Sequence, residues 1–214
     1  KKHKAFWSGQ FSACGKYGAG AIMDRMAKTI QEKGGKIHTK HRLKKINIIK
    51  NKITNLHFEN GKNYNAEDSI VVSTIPLNNL CKTMKLPCDL MFNSVRLMYM
   101  VFSKNRIFPK NTHSIYFAHS SFDFHRASEQ KQYSDTTFPK GKSIIVFEIS
   151  YTQRKHLGTM SDKELSKRIL KQFCSLGFVK KEDFLSAQSV KMPNVNPVMK
   201  IGYEKELSKI NSKI

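Results

Sequence analysis

The apolar positions of this chain change period within its first eighty residues. In GKYGAGAIMDRMAKTIQEKGGKI, Gly15 to Ile37, the residues Ile22, Met23, Met26, Ala27 and Ile30 recur three and four apart. That spacing predicts an amphipathic helix, and Gly34-Gly35 supplies its stop. The segments HTKHRLKKINIIK, ITNLHF and NYNAE follow, short and strand-like. Asn60-Gly61 between the last two predicts a tight hairpin, with positive φ at both turn residues. SIVVSTIPL then carries the β-branched run Ile70-Val71-Val72, the pattern of a strand buried on both faces. Pro76 is expected to open a short helix through Leu80, Cys81 and Met84, ended by Pro87.

Further on the chain becomes strand-rich. Ser94 to Phe102 (SVRLMYMVF) is a near-continuous apolar run and predicts a central strand. His113 to Ala118 and Ser143 to Ser150 predict two more, with a further strand around Phe124 to Ser128. Ser161 and Glu164 form a capping box ahead of the stripe Leu165, Ile169, Leu170, Phe173. Gly177 ends that helix. A strand over Phe184 to Val190, an extended stretch between Pro193 and Pro197, and a helix over Tyr203 to Ile210 complete the chain. Irregular alternation with hairpins predicts an α+β (mixed α/β) arrangement.

Composition narrows the classes. The 214 residues suffice for one large domain or two small ones, and 39% hydrophobic content supports a core. No apolar run approaches membrane-spanning length, and FWSGQFSACG near the start is too polar for a signal peptide. A cytoplasmic protein is expected. The four cysteines, 14, 81, 88 and 174, have neither zinc-ribbon spacing nor the density of a disulfide framework. Buried or incidental thiols are expected. Neither a His-x-x-x-His nor a Gly-x-Ser-x-Gly motif is present, so no metal ligand and no serine nucleophile is assigned. Asp162, Glu164, Glu182 and Asp183 fall at helix starts or in loops, where carboxylates cap rather than catalyse. No catalytic residue is named.

The net charge of +22 raises a second class, a basic non-enzymatic module that binds nucleic acid. The charge comes from 31 lysines against 7 arginines, however, and the lysines are scattered from Lys1 to Lys213. Base and phosphate readers favour the planar fork of arginine. A lineage codon bias toward Lys, Asn and Ile accounts for this pattern better, and no specific nucleic-acid partner is expected.

The order Lys16-Tyr17-Gly18-Ala19-Gly20, Gly34-Gly35-Lys36-Ile37, Leu43 with Ile46, Asn60-Gly61 and Val72-Ser73-Thr74-Ile75-Pro76 resembles the middle of the flavin-containing amine oxidase superfamily. Protoporphyrinogen-oxidase-like proteins belong to the same group. The resemblance implies FAD as cofactor. It implies a partial FAD-binding segment over residues 1–86 and a substrate domain over 87–192 with a largely antiparallel sheet and flanking helices. Residues 193–214 would return toward the FAD domain. It places Lys16, Gly18, Leu43, Thr74 and Pro76 against the cofactor, Leu43 through its backbone at the adenine edge. Leu43 also fits a plain strand residue, and Thr74-Ile75-Pro76 an ordinary strand-to-helix turn.

The Gly-x-Gly-x-x-Gly turn that brings a helix N-terminus to the pyrophosphate is missing, because Gly15 to Gly20 has other spacing and no preceding apolar strand. The chain therefore reads as the central fragment of an oxidoreductase, expected not to hold FAD tightly alone.

One segment points at a substrate. In His125-Arg126-Ala127-Ser128-Glu129, Arg126 and Ser128 alternate onto one strand face with His125, Ala127 and Glu129 on the other, and an Arg beside a Ser and a Glu makes an anion receptor with an orienting carboxylate. Tyr116 on the preceding strand can stack on a ring. The stretch is similar to one in eukaryotic-type UDP-galactopyranose mutases, where the matching Arg contacts the nucleotide-sugar pyrophosphate. This implies a small, anionic substrate held by Tyr116, Arg126 and Ser128, with Asn194 on the return segment. A mutase-type sugar-nucleotide isomerase is the alternative to a net oxidase. A surface strand with an ion pair fits the same residues.

Overall fold

The computed structural model describes residues 20–133, 140–152 and 154–213, and these form two compact units. Lys16 and Gly18 lie outside the described residues.

The first unit comprises residues 20–36 and the described part of Val95–Met192. It opens with helix α1 (Gly20–Glu32), which buries none of its residues. Its predicted apolar stripe is present but exposed, Met23 and Met26 by 59% and 55%.

The smaller unit, Ile37–Ser94 with residues 193–213, begins with three antiparallel strands in the order β1 (Leu43–Ile49), β2 (Lys52–Phe58), β3 (Asn63–Asn65). The first connection is a two-residue turn, Lys50-Asn51, with φ of 50° and 59°. That is the mirror-image turn whose twist matches paired strands. The expected site of such a turn, Asn60-Gly61, instead sits in a four-residue connection where Gly61 has positive φ and Asn60 does not. The Asn60 side chain accepts a hydrogen bond from the Lys62 amide at 3.1 Å, an Asx turn that holds the loop in another way.

The expected buried strand at Ile70-Val71-Val72 does not form. The backbone there is irregular, with Ile70 95% and Val72 82% exposed. A strand buried on both faces needs neighbours to pair with, and β-propensity alone cannot supply a ladder. Helix α2 (Leu77–Met84) does start at Pro76 as expected, but it ends at Lys85 in the left-handed region (φ 58°), two residues before Pro87.

A five-stranded sheet carries the larger unit, in the order β5 (Ser114–Tyr116), β6 (Arg126–Glu129), β7 (Ser143–Ser150), β4 (Met91–Phe102), β8 (Phe184–Val198). The pairs β5–β6, β6–β7 and β7–β4 are antiparallel. Strand alternation gives the sheet one strongly apolar face: Met98, Met100 and Phe102 of β4, Ala127 of β6, and Ile145, Phe147 and Ile149 of β7, all fully buried. After the short helix α3 (Lys155–Thr159), helix α4 (Asp162–Cys174) lays Leu165, Ile169, Leu170 and Phe173 on that face. The Ser161–Glu164 capping box forms in both directions. Phe173 is the hub, edge-on to Phe147 at 5.0 Å and stacked with Phe178 at 5.4 Å.

Two buried charged groups pin this core. Arg96, 2% exposed, donates from Nε to Ser189 Oγ (2.8 Å), from Nη1 to the Leu157 and Met160 carbonyls (2.9 and 2.8 Å) and from Nη2 to Asp162 (2.5 Å). Asp162 therefore does more than cap α4. Its other oxygen accepts the Ser189 amide, tying β8 to the helix start. Glu129 is fully buried. It accepts from the Ile107 and Phe108 amides at 2.8 Å each, from Ser143 Oγ at 2.6 Å and from Gln132 Nε2 at 3.1 Å. Helix α5 (Tyr203–Asn211) closes the chain, with Ile210 buried.

Candidate functional site

On the sheet face opposite the core, strand register assembles two rows of side chains. Tyr116 of β5 lies directly across from Arg126 of β6, Arg126 across from Glu148 of β7, and Glu148 across from Leu97 of β4. Two residues along, the row reads Ser114, Ser128, Val146, Tyr99. Facing side chains on neighbouring strands are in contact range, so each row acts as one surface.

The first row is an aromatic, a cation and a carboxylate in sequence. Arg126 Nη1 donates to the Tyr116 hydroxyl at 3.2 Å, and the guanidinium carbon stands 5.7 Å from the Tyr116 ring centre. Nη2 donates to Glu148 Oε1. Glu148 Oε2 lies 3.5 Å from His125 Nε2. Arg126 Nε is buried and has no partner among the described residues. The second row is a hydroxyl chain: Ser114 Oγ meets Ser128 Oγ at 2.7 Å and the Tyr133 hydroxyl at 3.1 Å, and the Tyr133 ring stacks on His113 at 4.9 Å.

Glu129 lies on the face opposite Arg126 and Ser128, as expected, but it is engaged with backbone amides in the core and does not orient Arg126; the carboxylate on Arg126 is Glu148. The alternation that puts Arg126 and Ser128 on one face necessarily sends Glu129 to the other. Glu148, Ser114 and Tyr133 are the members that sequence reasoning missed.

Hydrogen bonding from His125 holds the Glu148 carboxyl below its ordinary value. Burial works the other way, and Arg126 adds to the depression. Arg126 is held above its ordinary value, first by the Glu148 hydrogen bond. At Asp162, burial works to raise the carboxyl, yet the hydrogen bonds from Ser189 and Arg96 outweigh it and the group stays below its ordinary value. Depressed carboxylates stabilise the fold above their unfolded values and lose that contribution as pH falls through the folded ones. For Glu148 and Asp162, with ordinary values of 4.5 and 3.8, the urea midpoint is expected to hold from pH 7 to about 5 and fall below it. In Glu148→Gln the fall between pH 5 and 3.5 should be shallower. An equally steep fall would remove Glu148 from the acid transition.

The smaller unit holds a groove of about 650 Å³. Its apolar wall includes Leu43, Ile46, Leu56 and Leu80, and Thr74 and Lys213 also line it. The fold thus brings Leu43 and Thr74 onto one cavity, with Pro76 just beyond as the residue that caps α2. The size is that of a small-molecule cleft, roughly 300–1,000 Å³. Asn194 lies in β8 with positive φ (56°), accepting from Asn78 at 3.1 Å and donating its amide toward Ser94 at 3.4 Å. It is not brought to the Arg126 rows by any of these contacts. Among the described residues no cluster of His, Cys, Asp or Glu could hold a metal ion, and no helix is long and apolar enough to cross a membrane.

The family model for flavin containing amine oxidoreductases matches residues 3–196. No curated protein matches the sequence. Among solved structures, a reduced UDP-galactopyranose mutase superposes with a TM-score of 0.77 at 17% identity, over 92% of this chain and 43% of its own. A protein assigned as a protoporphyrinogen oxidase, from Exiguobacterium sp. 255-15, gives 0.71 at 14% identity, over 92% of this chain and 44% of its own. A redesigned triple mutant of putrescine oxidase gives 0.55 at 13% identity, over 81% and 38%. This chain spans less than half the length of each.

Proposed function

The chain belongs to the flavin-containing amine oxidoreductases, and on that premise we propose that it forms the central portion of a FAD-dependent oxidoreductase. FAD supplies the redox chemistry when bound. The apolar groove of the smaller unit receives its adenine end, with Leu43 on the wall and Thr74 and Pro76 at the strand-to-helix turn. The five-stranded sheet of the larger unit presents Tyr116, Arg126 and Ser128 to an anionic substrate. Arg126 binds the acidic group through its planar fork, Tyr116 orients the guanidinium and offers a ring face, and Ser128 with Ser114 and Tyr133 offers hydroxyl contacts.

The observation that carries this reading is the family match across residues 3–196, with two of the expected cofactor residues, Leu43 and Thr74, lining one groove. The test is an absorbance spectrum of the whole protein as its cell makes it, with the released cofactor identified by chromatography. Flavin bands and about one equivalent of FAD are expected. The 214-residue chain alone is expected to lose FAD on gel filtration. A colourless whole protein would overturn the reading, and release of a mononucleotide flavin would overturn the adenine assignment.

A second reading is favoured by the hydroxyl row Ser114, Ser128, Tyr133 beside Arg126. Hydroxyl groups next to an anion receptor suit a sugar nucleotide, the substrate class in the name of the mutase relative. Turnover of a UDP-sugar without net consumption of oxidant would establish isomerisation in place of oxidation.

A further inference from the structure

Arg126 does not wait for a ligand with its charge free. The Glu148 carboxylate already sits on Nη2, and the pair contributes no net charge to the surface. Three details of the geometry set this apart from an ion pair built only for stability. Glu148 takes the guanidinium end-on, through one oxygen to one nitrogen, where a two-bond fork is the strong arrangement. Its second oxygen is drawn toward His125 at 3.5 Å. Arg126 Nε, the nitrogen that a fork would use, is buried and has no partner among the described residues. The guanidinium is left with one bond to a neutral hydroxyl, one to a shared carboxylate, and one N–H unused. The side chain as a whole remains 35% exposed although Nε is buried, so an incoming group meets the guanidinium at its terminal nitrogens.

We propose that Glu148 is the specificity-determining residue of this site: its carboxylate competes with the ligand for Arg126 and sets the charge a ligand must carry. The proposal rests on the reading of Arg126 as the anion receptor. A monoanion offers what Glu148 already offers, while Glu148 acts at the high effective concentration of a tethered group. A free carboxylate at millimolar concentration loses that contest. An oxyanion with at least two negative charges wins it, because it sets more charge against the guanidinium at Nη2 and can also accept from the Tyr116 hydroxyl. Glu148 is then displaced toward His125, which is already its second partner. The competition lowers the affinity of every anion, so only a ligand whose second charge supplies extra binding energy stays bound at working concentrations.

Isothermal titration of the whole protein with inorganic pyrophosphate and, separately, with acetate tests this. In the parent protein pyrophosphate is expected to bind and acetate to give no measurable heat. Glu148→Gln keeps the size and an acceptor for Arg126 while removing the charge. It is expected to tighten pyrophosphate on the order of tenfold and to make acetate binding measurable, the gain of removing one nearby competing charge. Adding Arg126→Ala should abolish both.

If Glu148→Gln leaves pyrophosphate affinity within twofold or weakens it while Arg126→Ala still abolishes binding, Glu148 merely positions Arg126 and the competition is wrong. If pyrophosphate binding is indifferent to Arg126→Ala, or absent from every variant, the anion-receptor reading itself fails. Should the alanine variant not fold, Arg126→Gln, which keeps a planar donor without charge, takes its place with the same expected loss.

Discussion

Arg96→Ala is expected to lower the unfolding free energy by about 3–5 kcal/mol, the range for breaking a buried charge network from one side. Four bonds end on this one guanidinium, two of them to carbonyls in and after α3. Removing it leaves the Leu157 and Met160 carbonyls without their donor and opens a cavity beneath β4. Asp162 suffers less, because its side chain is 41% exposed and water can replace the lost partner. Arg96→Met restores the volume but not the donors, and roughly half of the loss should persist, since unmet buried acceptors cost about 1–3 kcal/mol each. Urea unfolding measures this as a lower midpoint at unchanged slope. A loss below about 1 kcal/mol for Arg96→Ala would mean that water enters and satisfies the carbonyls, and that the network is not what joins β4, β8 and the start of α4.

On the proposed sugar-nucleotide reading, Arg126→Ala is expected to weaken UDP binding to the whole protein by about 10- to 100-fold, or about 1.4–2.7 kcal/mol, the value of a charge-assisted bond in a partly desolvated site. Flavin content should not change, because the proposed cofactor groove of Leu43 and Thr74 is built from other segments of the chain. The fold should tolerate the change: an ion pair this exposed contributes no more than about 1 kcal/mol. Titration calorimetry gives the affinity, and the flavin-to-protein absorbance ratio gives the cofactor content. If the variant strips the flavin and spares UDP, the substrate role of β6 is wrong.

Arg96 and Arg126 show how differently two arginines can be read from a sequence. Arg126 stands in a polar stretch beside Ser128 and invites a functional reading. Arg96 lies inside the apolar run SVRLMYMVF, where a charge is costly unless paired, although the pattern of the run predicts only a central strand. An isolated arginine in such a run is the signal that was available: it must have partners, and they must come from elsewhere in the fold.

Several elements were legible because their causes are local. The capping box at Ser161 and Glu164 and the four-residue stripe of α4 need only neighbouring residues, and they form as expected. Strands β4 and β7 carry enough β-branched and apolar residues to show at once. The turn at Lys50-Asn51 was not legible, because lysine is a poor signal for positive φ, and it adopts that conformation where the paired strands demand it. The reverse error occurred at Asn60-Gly61, where a strong turn signal serves a longer loop.

By itself, the sequence determined the element types, the alternation that separates Arg126 and Ser128 from Ala127 and Glu129, and the family resemblance. Period and capping are properties of consecutive residues, so no partner is needed to read them. Only the tertiary structure decided that Glu148, twenty-two residues beyond Arg126, is its carboxylate, because that pairing depends on the register of β6 against β7. It also decided that Ile70-Val71-Val72 stays irregular and exposed. A strand's ladder and its burial are supplied by neighbours, and the residues of the strand encode only a readiness to accept them.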